Sequence, residues 1–244
     1  MRAAQNDNDL GRRGALLAWR YGRLDGEALL APLITREFPG RVAALSSFGA
    51  ESALLLAMIV RIDPATPVIF LDTGKLFPAT LAYHERLVAH LGLTDLRTVA
   101  PEPAALAARD PDGTLFQRHP DQCCALRKVE PLARALNGFD AIISGRKRFQ
   151  SAARARLSAV EFVDGSVRIN PLWSYSRERI EQEFSRRDLP PHPLEAEGFL
   201  SIGCMPCTDL VNAGEDPRAG RWRGLDKTEC GIHGTPRRSA GGVV

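Results

Sequence analysis

Five cysteines fall into three unequal groups: an adjacent pair, Cys123 and Cys124; a CMPC pair, Cys204 and Cys207; and a lone Cys230 inside KTECGIH at 227–233. Two pairs are the usual economy of a four-thiolate metal site. Adjacent cysteines strain the backbone if both must ligate one zinc ion, whereas a cluster of several irons spreads its ligand positions. The spacing alone leaves zinc and iron–sulfur both open, and an unliganded adjacent pair is a third reading. The odd count argues against a disulfide framework. Cys230 is flanked by Lys227, Glu229 and His233. It is either an idle surface thiol or a nucleophile whose thiolate nearby cations would favour, holding its pKa below about 8.5.

Cations recur beside these groups. Lys128 follows Cys124 by four residues, so a helix would project both from one face. Arg218 and Arg221 stand three apart in the segment after CMPC. Each alone reads as a solvated surface charge, and together they would form a cationic rim. A further motif is SFGAES at 47–52. Between a strand and a helix, such a turn places backbone N–H groups and hydroxyls where the helix dipole favours an anion. The plainer reading is an ordinary turn with a helix-capping serine. It is no Walker A loop, because no Gly-Lys-Ser/Thr follows.

The surrounding pattern must position these residues. Residues 42–47 and 68–72 are short apolar runs, 96–100 is a third, and 140–145 a fourth. Helical periodicity occupies 25–38, 53–62, 77–92 and 125–136. Buried strands alternating with amphipathic helices imply βαβ units and a parallel sheet. Ligands bind such sheets at the carboxyl ends of the strands, where a topological switch opens a crevice. The loops at 47–52, 72–75 and 145–150 are therefore the expected ligand loops. Ser46, Ser47, Phe48, Gly49, Ser52, Thr73 and Gly145 are candidates within or beside them. Past residue 157 the sheet pattern stops. A hairpin around Asp164 and Gly165 and a polar-faced helix over 176–188 follow. From 198 onward the chain is rich in Gly, Pro, Cys and Arg, and needs a staple or a ligand to hold shape.

Composition bounds the rest. At 244 residues the chain can bury a substantial core, and its apolar and charged fractions are ordinary for a soluble protein. A formal charge of +3 is too small to argue for nucleic acid, although RKR at 146–148 could serve a small anion. The polar N-terminus lacks a signal-peptide core, and no run approaches the roughly 20 apolar residues of a membrane span. The expectation is a cytoplasmic protein with no nucleic-acid or membrane partner.

In combination these residues resemble the thioredoxin-dependent assimilatory adenylyl-sulfate (APS) reductases, close kin of the 3′-phosphoadenylyl-sulfate (PAPS) reductases. The resemblance runs over about 40–235. It is carried in order by SSFGAES at 46–52, FLDTGKLFPAT at 70–80, CCALRK at 123–128, SGRKRFQS at 144–151, SIGCMPCT at 201–208 and KTECGIH at 227–233. It implies an α/β fold of the adenine-nucleotide α-hydrolase-like (PP-loop) type, a mainly parallel sheet flanked by helices. It divides the chain into an arm at 1–24, a reductase domain at 25–210 and a mobile tail at 211–244 bearing the reactive cysteine. Related ATP pyrophosphatases carry a second glycine where this chain has Phe48, a departure suited to a phosphosulfate.

By the same resemblance Cys123, Cys124, Cys204 and Cys207 would hold a [4Fe-4S] cluster. Both pairs together favour APS over PAPS, since PAPS-specific members typically lack them. Lys128 would lie between cluster and substrate, Arg218, Arg221 and His233 would contact its anionic groups, and Gly145 would pack near the adenosine. Many relatives have Asp where this chain has Phe149, and the run after Ser151 is a residue short of an expected arginine. Arg154, with Arg156 as a substitute, takes that place. Cys230 would be the nucleophile. Plant-type relatives carry a thioredoxin-like domain beyond this region. The expectation here is an external reductant, thioredoxin or glutaredoxin, and a homo-oligomer is left open. The rivals are PAPS reductase, an ATP pyrophosphatase of tRNA thiolation, which would want two adjacent glycines and a more basic face, and a zinc-stapled nucleotide-binding module.

Overall fold

A computed structural model describes residues 2–163, 165–212, 214–225 and 227–233. Asp164 of the expected hairpin and residues 234–244 of the expected tail lie outside them. The expected βαβ rhythm is present. Strand β1 (Val42–Ser46) leads to α3 (Ser52–Ile62), β2 (Val68–Leu71), α4 (Pro78–Leu91) and β3 (Leu96–Val99), with α1 (Arg2–Tyr21) and α2 (Gly26–Pro32) before them. Every residue of β1 and β2 is buried, which apolar runs achieve only when helices cover both faces of a sheet. The boundaries of α4 follow local chemistry. Proline opens its first turn, and Gly92, at φ +66, supplies the left-handed residue that closes it.

After β3 come α5 (Pro103–Arg109), α6 (Leu115–Arg118) and α7 (Pro120–Cys124). A π-helical turn over Ala125–Val129 then runs into α8 (Glu130–Ala135). The helical path thus begins earlier than the periodicity at 125–136 implies, and carries Cys123 and Cys124 on its first turns. Next are β4 (Ala141–Ser144), β5 (Val160–Val163), β6 (Ser166–Ile169) and α9 (Arg177–Arg186), the last capped by the Ser176 side chain, which accepts the Arg179 N–H.

Two features depart from expectation. The hairpin is not separate from the sheet: the strand order is β3-β2-β1-β4-β6-β5, with β6 parallel to β4 and β5 antiparallel to β6. The N-terminal arm is a helix. Leu17 of α1 is buried, and a Cβ on Gly14 would stand 2.8 Å from the Phe162 Cβ, so α1 lies directly on β5. The main core joins α2, α3 and the sheet through Leu30, Phe38, Leu54, Met58 and Phe70. Each such side chain stabilises the fold by about 1.5–3 kcal/mol on full burial. Among the described residues no helix is long and apolar enough to cross a membrane.

The order in which strands are added to the sheet reverses at β1, while its neighbours on both sides run parallel to it. The chain runs from β1 to β2 and β3 on one side, and β4 then pairs on the other. The carboxyl ends of β1 and β4 therefore open a crevice at Ser46–Ser47 and Ser144–Gly145.

Candidate active site

That crevice is a cleft of about 190 Å³. Its floor is the turn after β1. The Ser46 hydroxyl accepts the Phe48 N–H (3.2 Å), and a Cβ on Gly49 would stand 3.3 Å from the Ile202 carbonyl, so the loop passes tightly under 200–203. Six cations line the cleft, Lys128, Arg146, Lys147, Arg154, Arg218 and Arg221, against two carboxylates, Glu51 and Glu229. The excess suits a multiply anionic ligand. Cys230 lines the same cleft, half-buried.

The sequence matches the phosphoadenosine phosphosulfate reductase domain over residues 41–210. The chain belongs to this reductase family. It is 48% identical to a protein of Mesorhizobium japonicum named adenosine 5'-phosphosulfate reductase, over 93% of this chain and 89% of that one. It is 43% identical to one of Gloeobacter violaceus named phosphoadenosine 5'-phosphosulfate reductase, over 89% and 92%. Among solved structures, the PAPS reductase of Candida auris in a phosphate complex superposes with a TM-score of 0.66 at 27% identity, covering 78% of this chain and 91% of that one. Yeast FAD synthetase, at 16% identity and a TM-score of 0.52 over 86% and 75%, shares the fold. The nucleotide-binding α/β architecture expected from the motifs is thereby found.

Most expected site residues of this reductase-family chain meet in the cleft. Ser46, Ser47, Gly49, Ser52, Thr73 and Gly145 line it from the strand ends. Lys128, Arg154, Arg218, Arg221 and His233 line it from the helical and C-terminal segments. Phe48 stands apart from the lining. Its ring is fully buried, edge-on to Phe70 and His84, and its backbone takes the left-handed conformation at φ 48. Apolar area drives the ring into the core, and only its flanking residues face the cleft. Arg156 lies exposed outside the lining.

The basic groups are crowded. Burial and the Arg154 charge bring Arg218 down to about 10. Burial, with Arg146, Arg154, Arg168 and Arg218 around it, holds His233 far below the usual imidazole value, so it is neutral at pH 7 and acts as a dipole. Burial also lowers Lys147, against the opposing pull of the Glu51 carboxylate that it contacts. Arg221 packs across Gly203, where any Cβ would stand 2.3 Å from its Nη2, and over the Trp222 ring at 4.5 Å. Glycine at 203 is what lets the guanidinium reach the cleft.

The two cysteine pairs are brought together from distant segments. Cys204 pairs with Leu76 in an isolated antiparallel bridge, the Met205 N–H donates to the Lys75 carbonyl (2.7 Å), and the Thr73 hydroxyl lies 3.2 Å from Cys204 Sγ. Cys123 lies within electrostatic range of Cys204 and Cys207. Burial pushes Cys124 up to about 11, and also raises Cys123 and Cys207. Such thiols stay protonated until a metal replaces the proton. Among the described residues no three His, Cys, Asp or Glu side chains are arranged to hold a single metal ion. The donor chemistry of three buried thiols and a half-buried fourth, Cys207, nonetheless fits a thiophilic group that spreads its ligands.

Glu51 and Glu229 are cleft residues to which sequence reasoning gave no role. Glu51 contacts Lys147 and accepts from Gln150 Nε2 (3.0 Å), and Glu229 pairs with Arg154 and Arg218. The available signal was their adjacency to Ser52 and Cys230.

Proposed function

We propose that this chain reduces adenylyl sulfate to sulfite and AMP, with Cys230 as nucleophile and an external dithiol protein, thioredoxin or glutaredoxin, as reductant. The observation carrying this reading is that Cys230 lines one cleft with the serine–glycine loop before α3 and with Lys128, Arg218 and Arg221. The loop amides and hydroxyls of Ser47, Gly49 and Ser52 suit the nucleotide phosphate at a helix N-terminus. The cations offset charge as it develops on the leaving group.

The Cys230 thiolate attacks the sulfo sulfur, the S–O bond breaks, and AMP departs with that electron pair. Cys230 is left as S-sulfocysteine. A reductant thiolate then attacks the Cys230 sulfur, sulfite leaves with the S–S electron pair, and the reductant's second thiol resolves the mixed disulfide. Both electrons come from the dithiol. Cys123, Cys124, Cys204 and Cys207 would hold a [4Fe-4S] cluster, which when bound supplies a polarisable charged centre and a covalent tie between the two pairs. The second reading is the same chemistry on the 3′-phosphorylated substrate, favoured by the excess of cations in the cleft.

An anaerobic sulfite-release assay with thioredoxin, offering APS and PAPS separately, tests this. APS turnover is expected, with Cys230→Ser falling to background while AMP binding persists. Turnover of PAPS alone moves the substrate assignment, and undiminished turnover by Cys230→Ser removes the nucleophile assignment.

A further inference from the structure

We infer that Lys227 is a positioning residue that ties the Cys230 segment to the cysteine quartet, and that loading the quartet tightens the tie. Lys227 is the one lysine or arginine in KTECGIH, three residues before the reactive thiol. Its ammonium sits between the two cysteine-bearing segments. On one side it contacts Asp121, two residues before Cys123 on α7. On the other it lies 5.5 Å from the centre of the Trp222 ring, and the Trp222 N–H donates to the Cys207 carbonyl (3.2 Å).

The partners are unequal. The Lys227 side chain is 9% exposed, whereas that of Asp121 is 85% exposed. A nearly buried cation is thus paired with a carboxylate that water screens, and such a pair contributes little. Protonated thiols add no anion to offset the burial of the ammonium. Burial favours that protonated form at Cys123, Cys124 and Cys207, and the Lys227 charge is among those working against it at Cys124 and Cys207.

Loading changes the balance. Thiol protons leave when a cluster is bound, and four thiolates outweigh the positive charge of a [4Fe-4S] core. The resulting negative charge arises beside an ammonium shielded from water, where screening is weak. Lys227 is then held from the quartet side as well as by Asp121, and the chain leading into Cys230 is held with it. Beyond Cys230 the attachment is of another kind. Ile232 packs against the apolar group that includes Leu71, Leu132 and Phe139, a contact indifferent to charge. One anchor of the segment therefore senses loading and the other does not.

This coupling rests on the reading that the quartet carries a cluster, so iron content and docking are measured separately. Docking is read by a glutamate-specific protease, whose cut at the Glu229–Cys230 bond requires the segment to leave its seat. Mass spectrometry follows that cut in empty protein and after anaerobic loading with iron and sulfide. Loading should slow it about tenfold in wild type. Lys227→Gln should take up iron as wild type does, yet change its rate by no more than about twofold on loading. Lys227→Arg restores the charge and should restore the response. Asp121→Asn should speed the cut in empty protein and leave loaded protein protected, because the ammonium remains. Should Lys227→Gln load poorly, Lys227→Met keeps an apolar stem beside Trp222 and serves as the second uncharged variant.

Loaded wild type that is cut as fast as empty protein overturns the inference. So does a full loading response in Lys227→Gln or Lys227→Met, which would trace the protection to the covalent tie between the cysteine pairs alone. A wild-type protein that takes up no iron overturns the cluster reading, and the coupling falls with it. Iron uptake with an unchanged cut removes the coupling and leaves the cluster reading standing.

Discussion

Asp110 shows how one residue outside the cleft lining bears on its shape. Its carboxylate is fully buried, accepts both Arg127 Nε and Nη2, and receives the Leu115 N–H at 2.8 Å. Arg127 Nη1 in turn donates to the Thr73 carbonyl at 2.8 Å, which fixes the loop whose hydroxyl meets Cys204. Asp110→Asn leaves the buried guanidinium half-paired and should destabilise the protein by about 3–5 kcal/mol in urea denaturation. A loss under 1 kcal/mol would show the pair to be dispensable. Burial alone raises the Asp110 pKa, but the Arg127 bonds, the Leu115 N–H and the charges of Arg127 and Lys75 reverse this and lower it. Its stabilisation is therefore present above the ordinary carboxylate value of 3.8 and lost as pH falls through the lower folded value. At this scale the five cysteines and the cleft cations were legible, because type and spacing carry their chemistry. Phe48 was not. In SFGAES the glycine is the natural occupant of a left-handed position, yet Phe48 takes it, a choice made by tertiary packing of the ring.

Among the elements, the short turn Pro193–Glu195 couples two titrations of opposite sign. His192 is buried; its Nδ1 accepts the Leu194 N–H at 3.2 Å, leaving Nε2 as donor to Thr80 Oγ1 at 3.1 Å. Burial, aided by the Arg86 charge, brings His192 from 6.5 to about 4. Its contribution is present above pH 6.5 and lost as pH falls towards about 4. Burial, with Glu51 and Glu181 nearby, takes Glu195 from 4.5 up to about 7. That contribution is present below 4.5 and lost as pH rises towards about 7. The slopes oppose one another over nearly the same interval, so wild-type stability should change little on their account. Relative to wild type, His192→Gln should grow more stable as pH falls from about 7 to about 4.5, and Glu195→Gln should grow less stable, in thermal melts across that range. Parallel profiles for all three proteins would refute the coupling. The alternating strands and helices through β4 were legible because their periods are local. The helical state of α1 was not, since Gly11 and Gly14 weaken it alone and its docking on Phe162 supplies what they remove. Sheet membership of β5 and β6 was equally hidden, because a period of two does not say which neighbour a strand will find.

For the whole molecule, the aperiodic region 198–225 is tied by the Leu76–Cys204 bridge and the Met205 to Lys75 hydrogen bond to the loop after β2, and is closed on itself by the Thr208–Arg221 bridge. If the four thiols carry a cluster, anaerobically purified protein should contain iron and sulfide. Cys204→Ser should then lower the iron content and hasten proteolytic cleavage within 198–225, while far-UV circular dichroism stays near that of wild type. Zinc in place of iron, or an iron content unmoved by the substitution, would reject the assignment.

The separation of the two cysteine pairs also has a temporal side. Cys123 and Cys124 are synthesised before β4, β5, β6 and α9, and their counterparts only after all four. Synthesis runs from the N-terminus, and a domain folds as a unit. The partners Thr73, Lys75 and Leu76 are already synthesised when Cys204 is added, so for that interval Cys123 and Cys124 lack the segment that closes over them. The thiol quartet is therefore complete only once residue 207 has been added.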